Sequence, residues 1–207
     1  MPQQNNNIDK IFDFFELAGK LKKTRRYLTR RNMPKESVAD HSWRLVLMSF
    51  IIAEELKLKI DIIKAMKIAL VHDIGESITG DIDIRLIYKN IVSQAKKDRQ
   101  ELKALQKIKS SLPASLGRQI YNLWQEYEKG RTAEGRYIKA LDKIEALIYL
   151  VENGHKTYTD PEIIPVYADK EVANFPELKG ILKKLKRKIK KIFIKAQLEW
   201  KKDYEKI

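Results

Sequence analysis

The sequence predicts an all-α fold, a compact helical bundle. Apolar residues recur at helical spacing along most of the 207 residues, and only 8 glycines and 6 prolines interrupt them. No segment shows the alternation of apolar and polar residues that is typical of a half-buried strand. A chain of this length most often forms one domain, so we expect a single helical domain over residues 8–207.

The chain is predicted to begin with a disordered lead over residues 1–7. This stretch, MPQQNNN, is rich in Gln and Asn and contains no apolar signal core. A first helix follows from Ile8, and its apolar residues Ile11, Phe12 and Phe15 recur at helical spacing.

Two further helices are predicted on either side of residue 60. The first runs from Ser37 to Leu58 and carries an apolar face. Asp61 is a suitable N-cap for the next, IIKAMKIALVHD, and Gly75 can end it. Downstream, we expect a helix from about Ile91 to Ile108.

Two more helices are predicted before the tail. Pro113 opens one of them, and the other ends near Gly154. His155 follows that helix end, so it is interpreted as a surface histidine without a functional role.

The tail from about residue 173 to 204 is predicted to form a long Lys-rich helix, broken near Pro176 or Gly180. Apolar residues at helical spacing form a stripe along it: Leu178, Leu182, Leu185, Ile189, Ile192, Ala196 and Trp200. Lysines fill most of the other positions between 183 and 191. The favoured interpretation docks the stripe on the core and leaves the lysines in solvent. The alternative is a basic arm that binds RNA, DNA or anionic lipid.

Composition limits the chemistry and the partners. The net charge of +14 favours an anionic partner, such as a nucleotide, a nucleic acid or an acidic membrane surface. Because the chain has no cysteine, disulfides, thiolate metal sites and a cysteine nucleophile are excluded. No apolar run approaches the roughly 18 residues that span a bilayer. We therefore expect a cytoplasmic protein without a membrane span.

Two of the three histidines stand on apolar helices beside an aspartate. His41 follows Asp40, and His72 precedes Asp73. Imidazole and carboxylate groups together suit divalent ions such as Zn²⁺, Mn²⁺, Fe²⁺ or Co²⁺. A third and a fourth ligand for an ion at His72 and Asp73 would have to come from other helices, and His41 is one candidate.

These residues resemble a known family. His41, the His72–Asp73 doublet and a later aspartate match the H…HD…D pattern of the HD-domain metal-dependent phosphohydrolases. Three longer motifs resemble the 5′-deoxynucleotidase subgroup over roughly residues 8–155: PKESVADHSWR (34–44), ALVHDIGESITGDI (69–82) and YIKALDKIEALI (137–148). The resemblance implies an HD-type helical bundle with its metal-site core at about residues 36–155. It also implies a homodimer that hydrolyses deoxyribonucleoside 5′-monophosphates.

The resemblance assigns one divalent ion, such as Mn²⁺, Co²⁺, Fe²⁺ or Zn²⁺, to each site. Its ligands would be His41, His72, Asp73 and Asp142.

The resemblance also assigns the residues around the substrate. Glu76 would be required for catalysis, in proton transfer. Asp81 would be a second catalytic residue and would also contact the nucleoside sugar. Arg26 and Tyr27 would hold the phosphate and crowd the 2′ position of the sugar.

Two positions depart from the common form of the family. Tyr27 stands where tryptophan is usual, and Asp83 stands where a proline is often found. Sugar and base selectivity are therefore left open. Two alternatives also remain: another HD activity, on guanosine tetraphosphate or cyclic dinucleotides, and a basic nucleic-acid-binding module.

Overall fold

A computed structural model describes residues 2–26 and 36–207, and over these ranges it is all-α, as the sequence predicts. Its helices are α1 Pro2–Gly19, α2 Val38–Glu55, α3 Ile62–Val71, α4 Glu76–Thr79, α5 Ile84–Tyr88, α6 Gln94–Ser111, α7 Ala114–Lys129, α8 Ala133–Asn153, α9 Asp169–Ala173 and α10 Lys179–Lys195. The extended pairing in these ranges is a single bridge between Arg25 and Ser37.

The N-terminal helix is longer than the sequence predicts. Residues 2–7, assigned above to a disordered lead, form the first turns of α1. Proline is well suited to the first position of a helix because its φ angle is fixed and its missing N–H would be unpaired there anyway. No glycine or second proline follows before Gly19, so the helix continues without a break.

Side-chain caps set the start of the two helices that lead to the site. Ser37 caps α2 in a reciprocal capping box with Asp40: each side chain accepts a hydrogen bond from the other's backbone N–H, at 3.1 and 3.0 Å. Asp61 caps α3 as predicted, because it accepts from the Lys64 N–H at 2.9 Å. Both caps satisfy backbone donors that a helix leaves unpaired.

Helix α8 is the central helix of the bundle. It contacts α2, α3, α7, α9 and α10, and most of its residues from Tyr137 to Leu147 are buried. Gly135 permits the close approach of α7, since a Cβ at this position would lie 2.4 Å from the Glu126 carbonyl oxygen. A side chain on α8 can therefore meet residues from several other helices.

The Lys-rich tail helix is shorter than the predicted span of 173–204. The break near Pro176 is present as a 3₁₀ turn, and α10 runs from Lys179 to Lys195 with Gly180 inside it. Gln197 then adopts a positive φ of 57°, and the Leu198 N–H donates to the Phe193 carbonyl at 2.9 Å. This turn folds the chain back, so that the ring of Trp200 packs 5.5 Å from that of Phe193.

The apolar stripe of α10 docks on the core, as the favoured interpretation holds. Leu182, Leu185 and Ile189 of the predicted stripe are buried, and so is Phe193, which the predicted stripe omitted. Lys186 is an exception to the prediction of solvated lysines: it is buried and donates to Asp169 at 2.8 Å and to the Tyr204 carbonyl at 2.9 Å. Its ammonium therefore ties the C-terminal residues to α9 and α10.

Among the described residues, no helix has the length and apolar character needed to cross a membrane.

Candidate metal centre and active site

The structure brings the four predicted metal ligands together. His41 Nε2 lies 3.3 Å from His72 Nε2 and 3.1 Å from Asp142 Oδ1. His72 Nε2 lies 3.0 Å from Asp73 Oδ2. Two nitrogens and two carboxylate oxygens thus converge from three helical segments that are far apart in sequence.

Each ligand occupies a defined place on its helix. His41 lies in the first turns of α2, while Asp142 lies in the middle of α8. α3 ends at Val71, so His72 is its C-cap and Asp73 lies in the following turn. Gly75, predicted to end this helix, instead precedes α4, where a Cβ would come within 2.7 Å of the Leu105 side chain.

The outer nitrogens of both imidazoles are held by hydrogen bonds. His72 Nδ1 donates to the Ala69 carbonyl at 2.8 Å, and His41 Nδ1 pairs with the Glu145 carboxylate. Such partners fix the tautomer and direct the Nε2 atom at an ion.

The donor set fits a divalent ion. Burial and Arg26 lower the pKa of His41, but Glu145 and Asp142 outweigh them and raise it to about 9. In the metal-free protein, a proton on His41 therefore offsets the negative charge of Asp142. A divalent ion bound by the four ligands would displace this proton. Two imidazoles and two carboxylates suit several divalent ions of the first transition row.

Glu145 is the main residue of this site that sequence reasoning missed. It is 0% exposed and accepts from Arg44 Nε at 2.6 Å and from Arg26 Nη1 at 3.4 Å, besides its bond to His41. One feature of the sequence could have identified Glu145. It stands three residues after Asp142, and this spacing places both carboxylates on one face of α8.

A second cluster of acidic groups lies behind His41 but is already neutralised. Glu36, His41 and Glu145 lie close enough to hold an ion. Arg44 donates to Glu36 at 3.2 Å, however, and Arg26 lies 3.5 Å from the same carboxylate. Since two guanidinium groups supply the positive charge, this cluster is an ion-pair network that positions His41.

The second oxygen of Asp142 is held by two donors. Tyr127 donates to Oδ2 at 2.7 Å and Lys143 Nζ donates to it at 2.6 Å. Burial raises the pKa of Asp142, but Lys143 and His41 outweigh burial and keep it well below the usual value. The carboxylate is therefore ionised, with Oδ1 directed at the histidines.

A cleft of about 610 Å³ opens over these ligands, and both Glu76 and Asp81 line it. This volume lies within the ordinary range for small-molecule sites. Glu76 is 6% exposed, and its Oε2 has no hydrogen-bond partner among the described residues. Burial, together with the charges of Asp73 and Asp81, raises the pKa of Glu76 well above its usual value. A buried carboxyl of this kind can hold a proton near neutral pH.

Of the three remaining residues that the sequence singled out, two line the cleft. Arg26 lines the cleft, with Nη2 lying 3.9 Å from Asp142 Oδ1. Tyr27 lies outside the described residues. Asp83, one of the two departures from the family, also lines the cleft, where it caps α5 and pairs with Arg85.

Comparison with known proteins gives consistent matches. The sequence model described as HD domain matches residues 18–176. The chain is 33% identical over 181 residues to the 5'-deoxynucleotidase HDDC2 of Danio rerio, covering 86% of this chain and 87% of that protein. It is 31% identical over 178 residues to the 5'-deoxynucleotidase hdd1 of Schizosaccharomyces pombe, covering 83% of this chain and 86% of that protein.

Solved structures show the same fold. A predicted metal-dependent phosphohydrolase of Magnetospirillum magnetotacticum superposes with a TM-score of 0.74 at 24% identity, over 94% of this chain and 100% of that one. A conserved hypothetical protein of Pyrococcus furiosus superposes with a TM-score of 0.67 at 32% identity, over 85% of this chain and 99% of that one. The chain belongs to the HD-domain family, within the group whose relatives are named 5′-deoxynucleotidases.

Proposed function

We propose that the protein is a metal-dependent phosphomonoesterase. It hydrolyses nucleoside 5′-monophosphates, with a preference for deoxyribose, to nucleoside and phosphate. The observation that carries this proposal is the convergence of two imidazoles and two carboxylates beneath a cleft of about 610 Å³. The relatives named 5'-deoxynucleotidase support the choice of substrate.

Four residues would hold the ion: His41, His72, Asp73 and Asp142. A divalent ion bound there supplies a Lewis acid, which lowers the pKa of a coordinated water and offsets charge on the phosphate. The chain contributes the geometry, because Glu145 and the Ala69 carbonyl fix the two imidazoles. Because the four ligand atoms lie beneath the cleft, the cleft itself is open to water and substrate.

Glu76 would transfer the proton of the reaction. Hydrolysis forms a bond from a water oxygen to phosphorus and breaks the bond from phosphorus to O5′, and O5′ must gain a proton as it leaves. Glu76 lines the cleft with a carboxyl whose raised pKa lets it carry that proton near neutral pH. The unpartnered Oε2 is the atom we assign to the transfer.

Two residues would recognise the substrate. Arg26 would bind the phosphate, for which a guanidinium offers two parallel N–H donors. Asp81 would accept a hydrogen bond from the sugar. Burial raises the pKa of Asp81, while Arg26 opposes this shift and Asp73 adds to it.

We further propose a homodimer. Helix α2 presents an apolar stripe at helical spacing to solvent, with Trp43, Leu47, Phe50 and Ile51 all exposed. A stripe of this kind is typical of an interaction surface. The cytoplasmic location and the single-domain organisation over residues 8–207 stay predictions from the sequence.

A phosphate-release screen tests the function. Purified protein is loaded with Mn²⁺, Co²⁺, Fe²⁺ or Zn²⁺ and assayed against deoxy- and ribonucleoside 5′-monophosphates. We expect phosphate release, faster from the deoxyribonucleotides, and complete loss of release after EDTA treatment. Asp73→Ala is the matched control, since it removes one ligand and should lose bound metal and activity together. Absence of phosphate release from every 5′-mononucleotide with every metal would contradict the proposal.

A further inference from the structure

Lys143 is a cation at the metal centre to which neither the sequence motifs nor the mechanism gives a role. It follows Asp142 on α8, its Nζ donates to Asp142 Oδ2 at 2.6 Å, and it lines the cleft. We propose that Lys143 is a substrate-binding residue. One N–H holds Asp142, and the cleft side of the ammonium binds a phosphate oxygen of the substrate. This inference rests on the proposed function.

The orientation of Asp142 does not depend on Lys143 alone. Tyr127 is buried and donates to the same Oδ2 atom at 2.7 Å, so it holds the carboxylate independently of Lys143. The Lys143 side chain, by contrast, is 25% exposed. An ammonium has three N–H donors, and the bond to Asp142 uses one of them. Nζ also lies 5.5 Å from the centre of the Tyr167 ring, which lines the cleft. Two N–H donors thus remain for a ligand that enters the cleft beside this ring.

The balance of charge also points to Lys143. Among the described residues, Asp142 is the one carboxylate within 4.0 Å of the Lys143 ammonium. A divalent ion at the four ligands would neutralise Asp73 and Asp142. The charge of Lys143 would then be unbalanced until a phosphate monoester, with close to two negative charges near neutral pH, enters the cleft.

Three other cations that line the cleft contact acidic or carbonyl groups. The charge of Arg26, the other residue proposed to bind the phosphate, is shared with Glu36 at 3.5 Å and with Glu145 at 3.4 Å. Lys97 pairs with Glu101 at 3.4 Å. Lys139, one turn before Lys143 on α8, donates to the Glu128 carbonyl at 2.8 Å, near the end of α7. Lys143 therefore combines a hydrogen bond to a proposed metal ligand with a partly exposed side chain.

Isothermal titration of the Mn²⁺-loaded protein tests this role. The probes are inorganic phosphate, a deoxyribonucleoside 5′-monophosphate and the corresponding uncharged deoxynucleoside, with Glu76→Gln as the background so that substrate persists. We expect Lys143→Met to weaken binding of phosphate and of the monophosphate by about 10- to 100-fold, as for the loss of one charged hydrogen bond. Binding of the deoxynucleoside should not change, and Lys143→Arg should retain most of the phosphate affinity.

Lys139→Met is the matched control, because it removes the same charge from the same helix and cleft without touching Asp142. The affinity for Mn²⁺ is measured first for each variant, and all titrations use saturating Mn²⁺. If Lys143→Met does not bind Mn²⁺, Lys143→Gln, which keeps a donor but no charge, replaces it.

Three results would overturn the inference. The first is unchanged phosphate affinity in the neutral Lys143 variant, and the second is a loss of deoxynucleoside affinity as large as the loss of phosphate affinity. The third is a loss of phosphate affinity in Lys139→Met as large as that in the Lys143 variant. Failure of the proposed function is a separate result. It would appear as no phosphate release by the wild-type protein, while the titration with inorganic phosphate would still decide the role of Lys143.

Discussion

At the scale of single residues, the site depends on groups that stand behind the metal ligands. Glu145 fixes the His41 ring, and Arg44 fixes Glu145 through a contact of 2.6 Å. Partners of this kind orient a ligand and set its basicity, and their loss typically lowers metal affinity or activity by about 10- to 100-fold. The His41 ring is therefore oriented before any ion binds.

Glu76 provides the sharpest test of the mechanism. Glu76→Gln keeps the size of the side chain but removes the group that holds a proton. We expect the rate of phosphate release to fall by about 10²- to 10⁴-fold, which is the usual contribution of a general acid or base. The affinity for Mn²⁺ should change little, because Glu76 is not among the proposed ligands.

Metal affinity is measured by competition with a chelating dye, and turnover by phosphate release. Asp142→Asn is the companion variant, and it should lose metal affinity. Wild-type turnover in Glu76→Gln would exclude a role in proton transfer.

At the scale of the helices, local signals explain where elements begin. Ser37 and Asp61 are capping residues at the starts of α2 and α3. The sequence predicted Asp61 as a cap and Ser37 as the start of its helix. Helix ends were harder to predict. The end of α10 depends on a left-handed residue at Gln197 and on packing of Trp200 against Phe193, which are long-range consequences of the fold.

The capping box of α2 is predicted to contribute to stability. Ser37→Ala removes the hydroxyl that accepts from the Asp40 N–H, and such a loss costs about 1 kcal/mol in the free energy of unfolding. For a chain of this size we expect the melting temperature to fall by about 2–4 °C, measured by circular dichroism on the metal-free protein.

Asp61→Ala removes the corresponding cap from α3 and should give a loss of similar size. Equal melting temperatures for the wild type and Ser37→Ala would show that the box does not stabilise α2.

At the scale of the whole molecule, the exposed stripe of α2 predicts self-association. Trp43 is 67% exposed and Phe50 46%, which is unusual for large apolar residues that recur on one helical face. We expect sedimentation velocity to show a dimer at micromolar concentration and Phe50→Glu to shift it to the monomer, because a charge would be buried in the interface.

Ile194→Glu is the control, since it places the same charge at an exposed apolar residue of α10. A wild-type protein that sediments as a monomer, or a Phe50→Glu variant that remains dimeric, would contradict this prediction. The alternative role of the basic tail, binding nucleic acid or anionic lipid, stays a prediction.

The sequence by itself determined the helical class, the starts of α2 and α3, and the two histidines and Asp73 as candidate ligands. These features depend on local periodicity and on residue types that only certain environments accept, such as paired histidines and aspartates on apolar helices. The early start of α1 at Pro2 and the short helices α4, α5 and α9 were not predicted, because short segments carry little periodic signal.

Only the tertiary structure decided which acids meet the histidines. Glu126, Glu128, Glu134, Asp142 and Glu145 all lie close together in sequence, and nothing local separates them. The packing of α8 against α2 places Asp142 Oδ1 beside His41 Nε2 and Glu145 beside His41 Nδ1. Asp142 and the neighbouring Lys143 both line the cleft in this packing. The two pairings with His41 join residues about a hundred positions apart, and such pairings are fixed by the packing of whole helices.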